Sequence, residues 1–378
     1  MVKGGGSIDP KKFSEEVFEL FSIPAFDTGA PEIVKGSEIG STKKCVEPND
    51  VLLSKIVPHI RRCLVVPKIG KLRQIASGEW IQFRSEKLIP DYLRFFLISN
   101  IFHSQFMSTV KGVGGSLLRA SPSQVANIKI PLITLDQQQK IAAILDAAYS
   151  LRKKDKQLVA HYTALSQSLF LEMFGDPVTN PMRWDCLEFG TIGNLDRGKS
   201  KHRPRNDPVL LGGNYPLIQT GDVANCDGHI RHFSSTYSDI GLRQSKIWKA
   251  GTLCITIAAN IAKTGILDFD SCFPDSVVGF IPNKKTNIEY VQHWLSFLQK
   301  ILEDSAPMAA QKNINLKILR GLVVPLPPIE LQNQFAERIQ FIETQKQQAQ
   351  ASLEKSEALF NSLLQRAFTG ELTAKKAA

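Results

Sequence analysis

Ile130-Pro131-Leu132-Ile133-Thr134-Leu135-Asp136-Gln137-Gln138-Gln139 and, 194 residues later, Val324-Pro325-Leu326-Pro327-Pro328-Ile329-Glu330-Leu331-Gln332-Asn333 are two versions of one segment. Each leads into a Gln- and Lys-rich stretch of helical periodicity. The first ends in Met173-Phe174-Gly175-Asp176 and the second in Ala367-Phe368-Thr369-Gly370. The ends are chemically marked. Thr134 with Gln137 makes a capping-box pattern, Pro327-Pro328 precedes the second helix, and Gly175-Asp176-Pro177 and Gly370 supply the stops. Each helix is expected to run about 39 residues, roughly 58 Å at 1.5 Å per residue. That is far beyond the usual globular helix and points to a coiled coil.

The likeness extends upstream. Ile89-Pro90-Asp91-Tyr92-Leu93 matches Asn287-Ile288-Glu289-Tyr290-Val291, and Asn49-Asp50-Val51-Leu52-Leu53-Ser54 matches Gly251-Thr252-Leu253-Cys254-Ile255-Thr256. Val34–Ile39 matches Ile218–Val223 more faintly. The expected fold class is α+β: two globular domains joined by two long antiparallel helices, with a pseudo-two-fold internal repeat. The expected boundaries are 1–130 and 177–324 for the globules, and 131–176 and 325–378 for the helical spacers. Both helices carry apolar residues at heptad spacing, among them Ile141, Leu145, Ala148 and Val159 in the first and Phe335, Ile339, Ile342 and Phe360 in the second. Such a seam favours the helices packing on each other over each packing on its own globule. Asp155 and Lys346 are the misfits in the two seams. An antiparallel register that sets them face to face also sets Ile141 against Phe360 and Val159 against Ile342, so they are expected to form an inter-helix pair that specifies register.

Composition narrows the function. The chain has 378 residues, 43% hydrophobic and 22% charged, with no apolar run of membrane-spanning length. Its six cysteines are scattered, as suits free thiols in a reducing cytoplasm. The net charge is +10. Residues 1–130 hold 18 basic and 12 acidic side chains, and residues 177–324 hold 17 and 13. The helical segments hold 5 and 5, and 6 and 6. The whole surplus lies in the globules, which assigns them a polyanionic partner and leaves spacing and assembly to the helices.

The candidate contact residues follow from charge and loop position. Lys199, Lys201, Arg203 and Arg205 stand in the loop Arg197-Gly198-Lys199-Ser200-Lys201-His202-Arg203-Pro204-Arg205. Lys55, His59, Arg61 and Arg62 follow the strand Val51–Ser54, and Lys71 and Arg73 come soon after. All ten suit phosphates and guanine edges. Lys111-Gly112-Val113-Gly114-Gly115-Ser116 lacks phosphate-loop spacing and reads as a plain loop. Cys226, His229 and His232 lack the second cluster that a zinc site needs, so no metal is expected. No Walker A motif, no methyltransferase catalytic motif and no nuclease motif stands in the chain, so no catalytic residue is assigned.

Together these features resemble the specificity subunits of type I restriction-modification systems. The most specific resemblance is Leu322-Val323-Val324-Pro325-Leu326-Pro327-Pro328-Ile329-Glu330-Leu331-Gln332, the long helix after it, and Phe368-Thr369-Gly370-Glu371-Leu372. The first copy departs from that pattern, with Ile133-Thr134 in place of Pro327-Pro328. The resemblance implies two target-recognition domains, each reading half of a split site in double-stranded DNA, and an antiparallel helix pair as ruler and docking surface. It also implies two modification (methyltransferase) subunits and restriction/translocase subunits as partners. S-adenosylmethionine, ATP and Mg would belong to those partners, and this chain would be non-catalytic and cytoplasmic. A stand-alone DNA-binding regulator with a coiled-coil spacer is the alternative reading.

Overall fold

The computed structural model describes residues 1, 6–68, 71–112, 118–202, 204–258, 262–305 and 314–372; Arg203 lies outside them. Contacts divide the chain into two units, Met1–Gln157 with Gln350–Ala378, and Leu158–Ala349. The division runs through both long helices, Leu135–Phe174 and Ile329–Thr369, of 40 and 41 residues. Each unit thus holds one globule, the first half of the helix that follows it, and the second half of the other helix. No described helix is long and apolar enough to cross a membrane.

The units repeat one topology. In unit 1 the strands Lys43–Cys45, Arg73–Ala76, Val17–Phe21 and Glu32–Lys35 are neighbours, paired antiparallel, parallel and antiparallel. In unit 2 Ile247–Trp248, Ser271–Cys272, Leu211–Leu217 and Ser235–Tyr237 follow the same order and the same senses. The second sheet also recurs. Val51–Ser54 lies between Cys63–Val65 and Trp80–Phe83, and Leu253–Thr256 lies between Thr264–Leu267 and Val277–Pro282, all antiparallel. Both central strands are short apolar runs buried along their whole length, as a strand covered on both faces must be. Unit 2 adds Gly193–Arg197 and Gly228–Ile230 at the outer edges.

The connection between the two sheets is the same turn in each unit. Trp80 N donates to Ser77 O at 3.2 Å, and Val277 N donates to Pro274 O at 3.0 Å. On the adjoining strand, Lys55 N donates to Glu79 O and Ile257 N to Ser276 O, each at 3.0 Å. The chain returns to that strand at one place: Ala120 N donates to Lys55 O at 2.8 Å, and Ile314 N to Ile257 O at 3.1 Å.

A repeated buried amide ties each long helix to its globule. Gln138 Oε1 accepts from Ile89 N at 2.8 Å, and its Nε2 donates to Lys87 O at 3.0 Å and Ile133 O at 2.9 Å. Gln332 makes the same three bonds, to Asn287 N at 2.8 Å, Lys285 O at 3.2 Å and Pro327 O at 2.7 Å. Both side chains are 0% exposed. Beside each amide a tyrosine, Tyr92 on the helix Pro90–Ile98 or Tyr290 on the helix Ile288–Ser305, donates from Oη to the carbonyl of Pro131 or Pro325. The other long helix closes the junction: Phe368 lies 5.4 Å from the Tyr92 ring, and Phe174 lies 4.9 Å from the Tyr290 ring. The expected Thr134–Gln137 capping box forms, with reciprocal bonds of 3.3 Å. Gly175 ends the first helix at φ 77°, donating to Leu171 O at 2.9 Å.

Within each unit the helix segments pack antiparallel. In unit 1 Ile141, Leu145 and Ala148 share a core with Phe360, Leu364 and Ala367. In unit 2 Tyr162, Phe170 and Phe174 share one with Phe335, Ile339 and Ile342. The register differs from the expected one. Phe360 packs on Tyr149, at 5.8 Å between ring centroids, and under Arg152 at 4.4 Å, about two turns beyond Ile141. In unit 2 Phe335 packs on Phe170 and Phe174, at 5.6 and 5.1 Å. The aromatic closure of the junctions sets this register, and the two charges follow it. Lys346 is buried with its ammonium 2.6 Å from Asp227, a carboxylate of its own globule, and 3.9 Å from Glu343. Asp227 takes the place at Lys346 that the sequence assigned to Asp155. Asp155 is buried on the unit 1 segment, and its Oδ2 has no hydrogen-bond partner among the described residues.

Gln138→Glu and Gln332→Glu should each destabilise the chain by about 2–4 kcal/mol at neutral pH, because an ionised carboxylate cannot donate to two buried carbonyls. The loss should shrink at about pH 4.5, where a protonated acid restores one donor. Denaturant unfolding at both pH values checks this, and an equal loss at each would rule out the amide's donor role.

Candidate nucleic-acid interface

The structure sorts the sequence-assigned cations by what already holds them. In globule 1 Arg62 is locked bidentate onto Asp27, with both bonds at 2.7 Å. That guanidinium holds the Asp27 carboxyl below its usual range. Arg73 lies 3.8 Å from Glu16, with its guanidinium 5.2 Å from the Phe13 ring centroid. Arg61 donates to Ile98 O at 3.0 Å, at the end of the helix Pro90–Ile98. His59 and Lys71 are exposed. Lys55 donates to Gly78 O at 2.8 Å and lies 3.7 Å from Glu79.

In globule 2 Lys199, Lys201 and Arg205 are exposed and share one loop, as their sequence positions require. That loop is sewn down. Gln244 Oε1 accepts from Lys201 N at 2.6 Å and His202 N at 2.9 Å, and Ser245 Oγ donates to Lys199 O at 3.0 Å. Arg205 is ion-paired with Asp275. The loop begins with a close crossing: a Cβ on Gly198 would lie 2.2 Å from Phe273 O and 2.4 Å from Pro274 O, so only glycine fits.

Sequence reasoning missed four residues of these surroundings. Gln244 fixes the basic loop from 43 residues away. Lys44, Arg119 and Lys246 carry charge beside the same loops, but each stands outside the basic runs that drew attention. Lys44 follows Lys43 and Arg119 follows a glycine-rich stretch, and neither signal is specific.

Other chemistry is weaker. No group of three or more His, Cys, Asp or Glu among the described residues could hold a metal ion. Cys226 is engaged with Val223 O at 3.1 Å, and burial pushes its thiol up to about 11. All six cysteines are free. In unit 2 a groove of about 720 Å³ is lined by His229, Arg231, Asp268, Glu289, Glu337 and Glu343 among others, and its excess of carboxylates makes it a poor phosphate site. His229 bridges two of them, Nδ1 to Asp268 at 2.8 Å and Nε2 to Glu289 at 3.1 Å. Burial opposes its protonation, but the bonds to Glu289 and Asp268 outweigh burial and raise its pKa.

A raised folded-state pKa stabilises fully below the usual imidazole value of 6.5 and is lost as pH rises through the folded value. His229→Gln should therefore cost about 1–3 kcal/mol at pH 6 and progressively less toward pH 9. Denaturant unfolding of both proteins across that range measures the difference. A gap that widens with pH would contradict the bridged imidazolium.

Comparisons with known proteins fit this architecture. A family model for the type I restriction modification DNA specificity domain matches residues 181–355, the second globule and the leading part of the second long helix. The type I restriction enzyme EcoBI specificity subunit of Escherichia coli is 31% identical over 170 residues, covering 42% of this chain and 36% of that protein. A putative type I restriction enzyme MjaX specificity subunit of Methanocaldococcus jannaschii is 23% identical over 375 residues, covering 92% of this chain and 83% of that protein. The crystal structure of a type I restriction-modification system S subunit from M. genitalium shares the fold, with a TM-score of 0.58 at 12% identity over 97% of this chain and 91% of that chain. The second half of the chain thus matches the type I restriction modification DNA specificity domain, and almost the whole chain is similar to a type I specificity subunit.

Proposed function

We propose that this chain is the DNA-recognition subunit of a type I restriction-modification complex and is itself non-catalytic. Each globule reads one half of a bipartite duplex site, and the antiparallel helices carry the spacing. The observation that carries the reading is the duplication: two unlike globules on one repeated scaffold, with the entire +10 surplus in the globules and none in the helices. The relatives' names support it. Two modification subunits, with restriction/translocase subunits, dock on this chain and bring S-adenosylmethionine, ATP and Mg. The complex works in the cytoplasm, where its DNA is.

Two half-sites held by a rigid spacer should leave unread bases between them, because one turn of DNA advances about 34–36 Å. Methylome sequencing of the host with and without this gene should reveal one motif that disappears with it. That motif should consist of two different short half-sites separated by several unread bases. A continuous or palindromic motif, or a methylome unaltered by loss of the gene, would overturn the proposal.

A further inference from the structure

The two globules carry basic clusters at one place in the fold, although sequence puts them in unrelated segments. The place is the turn between the two sheets, Ser77–Glu79 in globule 1 and Pro274–Ser276 in globule 2. In globule 1 three cations converge on it. Lys44 Nζ donates to Trp80 O at 2.7 Å and Lys55 Nζ to Gly78 O at 2.8 Å. Arg119 Nη2 lies 3.5 Å from Glu79 Oε1, and Lys55 Nζ lies 3.7 Å from Glu79 Oε2. One carboxylate faces three positive charges. The crowding is felt: burial, then the neighbouring Lys55, pull the Lys44 pKa down, and Glu79 only partly offsets them.

In globule 2 the equivalent turn receives the basic loop. Gly198 crosses it at the carbonyls of Phe273 and Pro274, and Arg205 pairs with Asp275 within the turn. The strand ladders give a second correspondence. Cys45 pairs with Ile75 as Ile247 pairs with Cys272, so Lys44 and Lys246 hold the same register position. Lys246 sits 3.9 Å from the Trp248 ring centroid, an aromatic contact in place of a carboxylate. Arg62 and Arg73, by contrast, each sit on an acid of their own, Asp27 and Glu16.

We infer that this turn marks the edge of each globule that meets the DNA backbone, and that Lys44, Lys55 and Arg119 are the phosphate-binding set of globule 1. The inference rests on the DNA-recognition reading and narrows it. Its ligand is the phosphodiester backbone of duplex DNA. A phosphate here supplies the negative charge that one carboxylate leaves wanting, and Glu79 competes with it for Lys55 and Arg119.

The test uses the full chain and a random-sequence DNA duplex, with binding measured across a salt series. Glu79→Gln removes the competitor and should tighten binding about three- to tenfold at low salt, a gain that misfolding cannot mimic. Replacing Lys44, Lys55 and Arg119 together by Gln should flatten the slope of log K against log salt by two to three, at about 0.9 per phosphate contact. Replacing the exposed Lys11, Lys12 and Lys35 of the same globule should leave the slope within about 0.5. If wild type binds with a steep slope, but Glu79→Gln fails to tighten binding and the two triple variants behave alike, the inference is wrong and the recognition reading stands. If wild type shows no salt-dependent binding, the reading itself fails and the inference with it.

Discussion

Each long helix leaves its globule through one buried amide, and the rest of the arrangement depends on that junction. Gln138 and Gln332 each satisfy three backbone groups, drawn from the residue just before the tyrosine-bearing helix, the loop ahead of that residue, and the segment that leads into the long helix. Apolar packing alone would let a long helix roll on the globule beneath it. An amide with one acceptor and two donors permits a single azimuth, since any rotation leaves buried polar groups unpaired. The tyrosine beside it fixes the preceding carbonyl, and a phenylalanine from the other long helix covers the tyrosine. The same three parts occur in both units, so the antiparallel helix segments of each unit start from an equivalent anchor.

The charge distribution gains meaning once pairing is counted. Exposed ion pairs add little stability, typically about 0–1 kcal/mol, but they cancel the local field that attracts a polyanion. Arg62 on Asp27 is neutral as a pair. The turn at Glu79 keeps a surplus because three cations surround one acid. A basic residue in the sequence and a basic site in the fold are therefore different things, and the second depends on acids brought from elsewhere in the chain.

The sequence made legible what is periodic or capped. The duplication, both long helices, the Thr134–Gln137 box and the Gly175 stop can all be read from local patterns, because helix ends need specific residues at fixed spacing. The two central strands could be matched as apolar runs. The helix register could not. Asp155 and Lys346 looked like mutual partners as the only misfits in two apolar seams, but the globule supplies Asp227 to Lys346. Gln138 and Gln332 align with each other at the 194-residue offset of the quoted repeat, yet that match does not say that either amide is buried or which backbone groups it meets. The shared turn was hidden for a further reason: Ser77-Gly78-Glu79 and Pro274-Asp275-Ser276 have no residue in common at matched positions. Only their backbone bonds are alike.

Two globules on one repeated scaffold should read DNA independently. The most direct measurement exchanges residues 177–324 for the corresponding globule of a relative with a different target and sequences the methylome of the host carrying the chimaera. One half-site should be replaced, while the other half-site and the number of unread bases stay as they were. Simultaneous change of both half-sites, or of neither, would contradict independent recognition by the two globules.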